Sequence, residues 1–257
     1  MFGRDKLIAY AIKYEGDWLK IYNALVTREE IESEYELKIR SMKCKTLTML
    51  DDDYPFHLKQ VHRPPFVLFY YGDISLIKNY YKNVSIVGSR KYSDYGKEIT
   101  EKIVAGLASD DYVIISGLAL GIDAIAHTAA INNGMKTVAI LGCGVDICYL
   151  LDNQSLYETI RDNYLVISEY PEGVQPAPYK FPIRNRIIAG LSHTVIITEA
   201  HKHSGSMITG LLAAEGNADV MCVPYPIDAD SGCNVLIKLG AYLVESPEDV
   251  IEQMTHF

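Results

Sequence analysis

The chain has 257 residues, of which 49% are hydrophobic and 22% are charged, and its formal net charge is −9. This composition is typical of a folded globular protein and excludes a disordered chain. No stretch reaches the ~18–20 uninterrupted apolar residues of a membrane helix, and charges interrupt the N-terminus. We therefore expect a cytoplasmic protein with no secretory signal and no membrane partner.

The first third of the chain predicts a helical part followed by short strands. Residues 1–45 carry apolar residues at helical spacing, which predicts a small helical N-terminal subdomain. Residues 46–83 contain two short strand-like stretches that flank a helix. We expect these strands to extend the main sheet, so that residues 46–257 form one domain.

From residue 84 onward, short apolar strands alternate with amphipathic helices. The predicted strands are 84–87, 112–115, 137–141, 164–167, 194–198, 219–223 and 241–244, and the predicted helices are roughly 94–109, 122–133, 154–162, 184–191, 206–215 and 233–239. Nearly continuous apolar strands are typical of a parallel sheet covered on both faces. The alternation predicts an α/β fold with an extended Rossmann-like, mostly parallel, doubly wound sheet.

Small and polar residues follow several of these strands. They are Gly88, Ser89 and Arg90, then Ser116, Gly117 and Gly121, then Gly142 and Gly144, and finally Ser204, Gly205 and Ser206. Ligands bind at the carboxyl ends of parallel strands, where glycines and helix N-termini admit anions. The pattern predicts a phosphate-binding rim. Because neither G-x-G-x-x-G nor GxxxxGK[ST] occurs, NAD and ATP are disfavoured, and we expect no cofactor.

Cations gather in one segment of this acidic chain. Between residues 175 and 210 the charged residues are Lys180, Arg184, Arg186, Lys202 and a single acid, Glu199. Arginines at a helix start oppose the helix dipole, so their position favours a bound polyanion.

Two residues near these cations have alternative interpretations. Phe181 either stacks on a base or packs in the core. Arg90 either contacts a phosphate or forms an internal ion pair.

Catalysis is also considered. Ser116, Asp123 and His127 invite a triad interpretation, but no G-x-S-x-G elbow carries the serine. We expect instead that Asp123 braces its loop and that His127 packs beneath it.

The other reactive residues have similar alternatives. Glu199 is either a general base or, as we favour, a partner that holds Arg184 or Arg186. The five cysteines form no CxxC pair and His201 and His203 lack further ligands, so we expect buried, reduced thiols and no metal site.

Six stretches of the chain carry a family resemblance. They are VSIVGSRKYSDYG, ISGLALGIDAIAHTAA, GMKTVAILGCGVDICY, SEYPEG, FPIRNRIIAGLS and TEAHKHSGSMITG. Together with LDDDYPFHLKQVHRPPFVLFYYGDI before them, they resemble the DprA/Smf family of bacterial DNA-processing proteins. The resemblance covers about residues 46–250 in order.

The resemblance implies a function as well as a fold. It implies a homodimeric, non-enzymatic protein that binds and protects single-stranded DNA and helps load RecA recombinase in natural transformation, in competition with single-strand binding protein. The nucleic-acid-binding residues that we predict are Gly88, Ser89, Arg90, Gly117, Gly121, Lys180, Phe181, Arg184, Asn185, Arg186, Lys202, Ser204, Gly205 and Ser206. Asp123, His127 and Glu199 are predicted to support that site.

The chain also departs from the family pattern, at Leu120, at residues 149–151 and at Pro224 and Tyr225. Two alternative functions are considered: a nucleotide or nucleoside-phosphate hydrolase on a related scaffold, and a sensor of small nucleotides. The PGGxGTxxE-type loop of the related phosphoribohydrolases is missing here, which disfavours the hydrolase.

Overall fold

The N-terminal part of the chain forms three helices that pack beside the sheet. The computed structural model describes residues 3–255, and its first helices are α1 (Gly3–Lys13), α2 (Trp18–Val26) and α3 (Glu34–Ser41). Helix α2 begins after Asp17, whose side chain accepts a hydrogen bond from the Lys20 amide. Apolar residues of α1 join strand residues in one buried cluster, so α1 is part of the core.

The rest of the described chain alternates strands and helices. The strands are β1 (Lys45–Thr48), β2 (Val67–Gly72), β3 (Asn83–Gly88), β4 (Val113–Ser116), β5 (Lys136–Leu141), β6 (Leu165–Ser168), β7 (Thr194–Glu199), β8 (Asp219–Cys222) and β9 (Tyr242–Leu243). The helices are α4 (Asp94–Gly106), α5 (Ile122–Asn132), α6 (Gln154–Asn163), α7 (Lys180–Gly190), α8 (Gly205–Glu215), α9 (Gly232–Lys238) and α10 (Pro247–Thr255).

All of these strands belong to one sheet, in the order β1-β2-β6-β5-β4-β3-β7-β8-β9. The strands from β6 to β9 in that order pair in parallel, whereas β1 and β2 pair antiparallel. The predicted Rossmann-like fold is confirmed. As expected, β1 and β2 extend the main sheet, although a short 3₁₀ helix (His57–Gln60) takes the place of the helix predicted between them.

Successive residues of the strands pack into two buried clusters, one on each face of the sheet. Ile86 and Ile114 point to a cluster with α4 and α5, whereas Val87 and Ile115 point to a cluster with α7, α8 and α9. The sheet is therefore covered on both faces, as its apolar strands predicted.

The order of the strands reverses between β3 and β7. The chain leaves β3 and β7 in opposite directions around the sheet, which opens a crevice beyond their carboxyl ends. Helix α7 starts at Lys180, four residues before the predicted start, because Pro182 in its first turn is compatible with a helix.

Two further features concern the helices and the cysteines of the described chain. No helix within residues 3–255 has the length and apolar character needed to cross a membrane. The cysteines are free thiols; Cys148 is partly exposed and the other four are buried, which confirms the prediction for those four.

Candidate functional site

A cavity of about 590 Å³ opens at the crevice between the ends of β3 and β7. We call this cavity the groove. The predicted site residues that line it are Gly88, Ser89, Arg90, Asp123, Phe181, Arg184, Asn185, Ser204, Gly205 and Ser206. The loops that follow different strands therefore converge on one edge of the sheet, as the sequence predicted.

The mouth of the groove combines a free cation with aromatic rings. Arg90 is exposed, and its guanidinium lies 5.6 Å from the centre of the Phe181 ring. The ring of Tyr149 lies 5.2 Å from that of Phe181. No described residue forms an ion pair with Arg90, so its positive charge is available to a ligand.

Helix α8 presents an open N-terminus to the groove. Ser204 occupies the N-cap position, but its side chain makes no capping hydrogen bond. Its Oγ is buried and has no hydrogen-bond partner among the described residues. The first turn of a helix has unpaired N–H groups and a partial positive charge, which together bind anions. The start of α8 therefore has the features of an anion-binding site.

The starts of α4 and α5 are occupied by carboxylates of the protein itself. Glu199 accepts hydrogen bonds from the Ser93 amide at 2.9 Å and from the Ser93 hydroxyl at 3.0 Å. Asp123 accepts from the amides of Gly117 at 3.2 Å and Ala119 at 3.4 Å. The prediction that Asp123 braces its loop is confirmed, and Glu199 occupies the main-chain amide of the N-cap residue of α4.

Arg184 lies in the floor of the groove and is almost fully buried, with 4% of its surface exposed. Its Nη1 donates to the carbonyl oxygens of Gly117, at 2.7 Å, and Ile140. Its Nε is buried and lacks a partner within the described chain. Burial lowers the pKa of Arg184 and raises that of Asp123, and each group partly offsets the shift of the other.

The triad interpretation of Ser116, Asp123 and His127 is not supported by the geometry. The Ser116 hydroxyl donates a hydrogen bond to the carbonyl oxygen of Ile86 at 2.6 Å. The Nδ1 atom of His127 lies 2.7 Å from the Thr137 hydroxyl, and the ring is fully buried. Burial lowers the pKa of His127 to about 3, so the ring is neutral near pH 7. His127 supports the core beneath the loop.

The expectation that Glu199 holds Arg184 or Arg186 is wrong. Glu199 is bound to Ser93, and Arg186 pairs instead with Glu169. The guanidinium of Arg186 is buried in that pair, which removes it from the groove. The same strand-end carboxylate therefore anchors the start of α4 and leaves both arginines to other partners.

The two predicted lysines also lie away from the groove wall. The Nζ of Lys180 donates to the Gln175 carbonyl at 2.8 Å and lies 4.8 Å from the centre of the Tyr170 ring. Lys202 lies 3.4 Å from Asp230 in an exposed ion pair. Such a surface pair is weak, so Lys202 remains able to exchange partners.

Two predicted glycines serve the packing of the groove. A side chain at Gly117 would meet the guanidinium of Arg184. Gly121 has a φ of +82°, and its Cα lies against the main chain of Ser89 and Arg90. Both glycines let loops approach each other beneath the groove, and neither is part of its wall.

The groove includes residues that sequence reasoning missed: Lys91, Tyr149, Pro178, His201 and Thr209. Lys91 had a signal, since it follows Arg90 in the same strand-end loop and is exposed. Tyr149 had no such signal in the sequence, because only the tertiary fold brings its loop next to Phe181.

A doubly wound parallel sheet with a cationic groove and an open helix N-terminus at its switch point defines a Rossmann-like protein with a candidate anion-binding site. The family model described as DNA recombination-mediator protein A matches residues 45–255. The chain belongs to this family.

Individual relatives agree with the family match. The chain is 44% identical over 213 residues to the DNA processing protein DprA of Streptococcus pneumoniae, covering 82% of this chain and 74% of that protein. It is 41% identical over 212 residues to the protein Smf of Synechocystis, covering 81% of this chain and 53% of the relative. It thus spans about half the length of that second protein.

Solved structures give the same result. The DprA of Streptococcus pneumoniae superposes with a TM-score of 0.81 and 36% identity, covering 97% of this chain and 93% of that one. The DNA processing protein A of Helicobacter pylori, described for its single-stranded DNA binding mode, superposes with a TM-score of 0.75 and 30% identity, covering 83% and 96%.

Proposed function

We propose that the chain binds single-stranded DNA in the groove and performs no chemistry on it. The hydroxyl of Ser204 at the start of α8 lacks a partner among the described residues, and the exposed Arg90, which has no ion-pair partner there, lines the same groove. This observation carries the proposal, because an open helix N-terminus beside an unpaired cation is suited to an anion. The binding mode described for the Helicobacter pylori relative supports DNA as that anion.

The groove offers separate places for the phosphates and for the bases. Arg90, Lys91 and the start of α8 would contact phosphates, which carry no sequence information. The rings of Phe181 and Tyr149 would stack on bases, which contributes ~1–3 kcal/mol per base whatever the sequence. Unstacked bases are accessible in single strands, so this combination favours single strands over duplex.

The ionisable groups around the groove support a binding role over hydrolysis. Asp123 is held by main-chain amides, Glu199 by Ser93, and His127 is neutral and buried. Neither His127 nor Glu199 lines the groove, and Asp123, which does, is engaged by main-chain amides, whereas general base catalysis requires a proton acceptor within reach of the substrate. Binding in this account uses neither a metal ion nor a cofactor.

Membership of the family supports partners beyond DNA. We propose that the protein acts as a homodimer, protects incoming single strands in competition with single-strand binding protein, and helps load RecA recombinase during transformation or recombination.

The direct test is a fluorescence-anisotropy titration with labelled oligothymidylate and with a duplex of equal length. We expect tight binding to the single strand and much weaker binding to the duplex. Equal binding to both, or turnover of mononucleotides by the purified protein, would contradict the proposal. RecA assembly on strands coated with single-strand binding protein then tests loading separately.

A further inference from the structure

A second cavity of about 450 Å³ lies across the first turn of α7 from the groove. We call it the side cavity. It is formed by the start of α2, the segment before β2, and helices α7 and α8. Its lining includes Trp18, Arg63, Tyr170, Tyr179, Lys180 and Ile183.

The two cavities adjoin along the start of α7. Pro182 lines both of them. Pro178 and Phe181 line the groove, whereas Tyr179 and Lys180 line the side cavity. Pro182 is exposed, so a flexible chain bound in the groove can cross over it into the side cavity without passing through protein.

The side cavity is rich in aromatic surface. Tyr179 is 64% exposed at its rim. Trp18 is partly exposed and stacks on Tyr22 at 5.2 Å with ring planes 9° apart, while its indole N–H donates to the Pro64 carbonyl at 2.9 Å. The guanidinium of Arg63 lies 5.6 Å from the Trp18 ring. Trp18 is also stacked on Phe66 at 5.3 Å, so the exposed ring of Tyr179 is the one placed to stack on a planar ligand.

The charge of the side cavity differs from that of the groove. The ion pair of Arg186 with Glu169 neutralises its floor. The cations Lys20, Arg63 and Lys180 line the cavity together with the carboxylates of Glu15 and Asp17, and Lys20 lies 3.9 Å from Asp17. Such a mixed, aromatic lining suits a base with hydrogen-bond donors and acceptors on its edge better than it suits a row of phosphates.

We propose that the side cavity holds the base of a nucleotide next to those in the groove, so that the bound strand crosses α7 at Pro182. This inference rests on the proposed function and adds a subsite built partly by the N-terminal helices. Tyr179 stacks on the base, and the exposed Arg63 contacts a flanking phosphate. Strands that fill the groove alone leave the side cavity empty.

Trp18 provides a built-in probe, because it is the only tryptophan in the sequence. The experiment titrates the full chain with oligothymidylates of about 4 and about 12 nucleotides, a range that spans typical single-strand site sizes. Anisotropy of a labelled strand measures binding, and Trp18 emission measures occupation of the side cavity. We expect the long strand to change Trp18 emission and the short strand to bind without doing so.

Two tyrosine variants make the test specific. Tyr179→Ala is expected to weaken binding of the long strand about tenfold and to leave the short strand unchanged. Tyr81→Ala is the matched control, since Tyr81 is 57% exposed but precedes β3, at the opposite edge of the sheet. It is expected to bind both strands as the wild type does.

Other outcomes separate this inference from the proposed function. If the long strand binds without changing Trp18 emission, or if Tyr179→Ala binds it like the wild type, the side cavity is not part of the path although the groove still binds DNA. Equal weakening of short and long strands by Tyr179→Ala also overturns the inference. If the wild type binds neither strand, the proposed function itself is wrong.

Discussion

Arg186 and Glu169 form a two-point ion pair inside the protein, with Nη1 2.9 Å from Oε1 and Nη2 2.5 Å from Oε2. The two side chains are 7% and 4% exposed. Arg186 also donates to the carbonyls of Arg63, at 2.9 Å, and Ile183. Arg186 is close in sequence to the groove residues of α7, but its side chain links α7 to the end of β6 and to the segment before β2.

The first prediction concerns the stability that this pair provides. Arg186→Met leaves the Glu169 carboxylate buried without its partner, which typically costs about 3–5 kcal/mol of unfolding free energy. The double variant Arg186→Met with Glu169→Gln removes both charges and is expected to recover part of that loss. Urea unfolding measures both; a single variant as stable as the wild type would refute the structural role of Arg186.

The second prediction concerns Arg90, which is exposed and unpaired among described residues. Arg90→Ala is expected to weaken single-strand binding roughly tenfold for any base sequence, because a charge-assisted phosphate contact is lost. The salt dependence should also fall, by about 0.7 in the slope of log K against log salt. Arg161→Ala is the control, since Arg161 lies in α6 and pairs with Asp162.

Anisotropy titrations at several salt concentrations measure the slopes for both arginine variants. An unchanged slope for Arg90→Ala, or an equal loss of affinity for Arg161→Ala, would show that Arg90 makes no phosphate contact.

The third prediction separates stacking from charge at Phe181. Phe181→Ala removes the ring that lies between Arg90 and Tyr149, and base stacking contributes ~1–3 kcal/mol. We expect weaker binding with a salt slope like that of the wild type. A slope that falls as much as in Arg90→Ala would mean that the ring acts by positioning the guanidinium.

The fourth prediction uses the buried His127. Burial lowers the pKa of His127 from an ordinary value of 6.5 to about 3, so the unfolded chain takes up this proton first as pH falls. The stabilisation is complete above pH 6.5 and declines as pH falls from 6.5 toward 3. Between about pH 7.5 and about pH 5, this single group accounts for a loss of about 2 kcal/mol.

His127→Asn keeps a polar atom for the Thr137 hydroxyl and removes the titrating ring. Urea unfolding at the two pH values should therefore show a smaller pH-dependent loss for the variant than for the wild type. The same loss in both proteins would show that another group causes the acid sensitivity.

The sequence predicts the sheet and its site edge well, for physical reasons. The apolar strands around Ile114 and Ile196 have to be buried on both faces, and parallel strands place their following loops at one edge. Because Ser89, Arg90 and Ser204 all lie in such loops, their positions in the chain are enough to predict that they share one cavity.

The roles of individual charges are harder to predict from the sequence. Arg184 and Arg186 are two residues apart on α7, yet one binds main-chain carbonyls and the other binds Glu169. Their partners include residues of β5 and of the end of β6. The sequence pattern does not give the distances between α7 and those strands. Likewise, the contact of Lys180 with the Tyr170 ring is formed by the tertiary fold, so the order of residues in the chain does not predict it.

The proposed function requires that the start of α8 binds a phosphate of the strand. Gly205 is the first residue of α8, it is exposed, and a side chain there would meet no atom within 4 Å. An aspartate at this position suits the helix dipole, so Gly205→Asp should not destabilise the fold, whereas its carboxylate would repel a phosphate. Gly205→Ala is the neutral control.

The decisive measurement is therefore the single-strand affinity of Gly205→Asp and Gly205→Ala, with urea unfolding of each protein alongside. The account predicts that Gly205→Asp loses more than about tenfold in affinity, equivalent to ~1.4 kcal/mol, with its stability retained, and that Gly205→Ala binds like the wild type. A stable Gly205→Asp protein that binds single strands as tightly as the wild type would contradict the account.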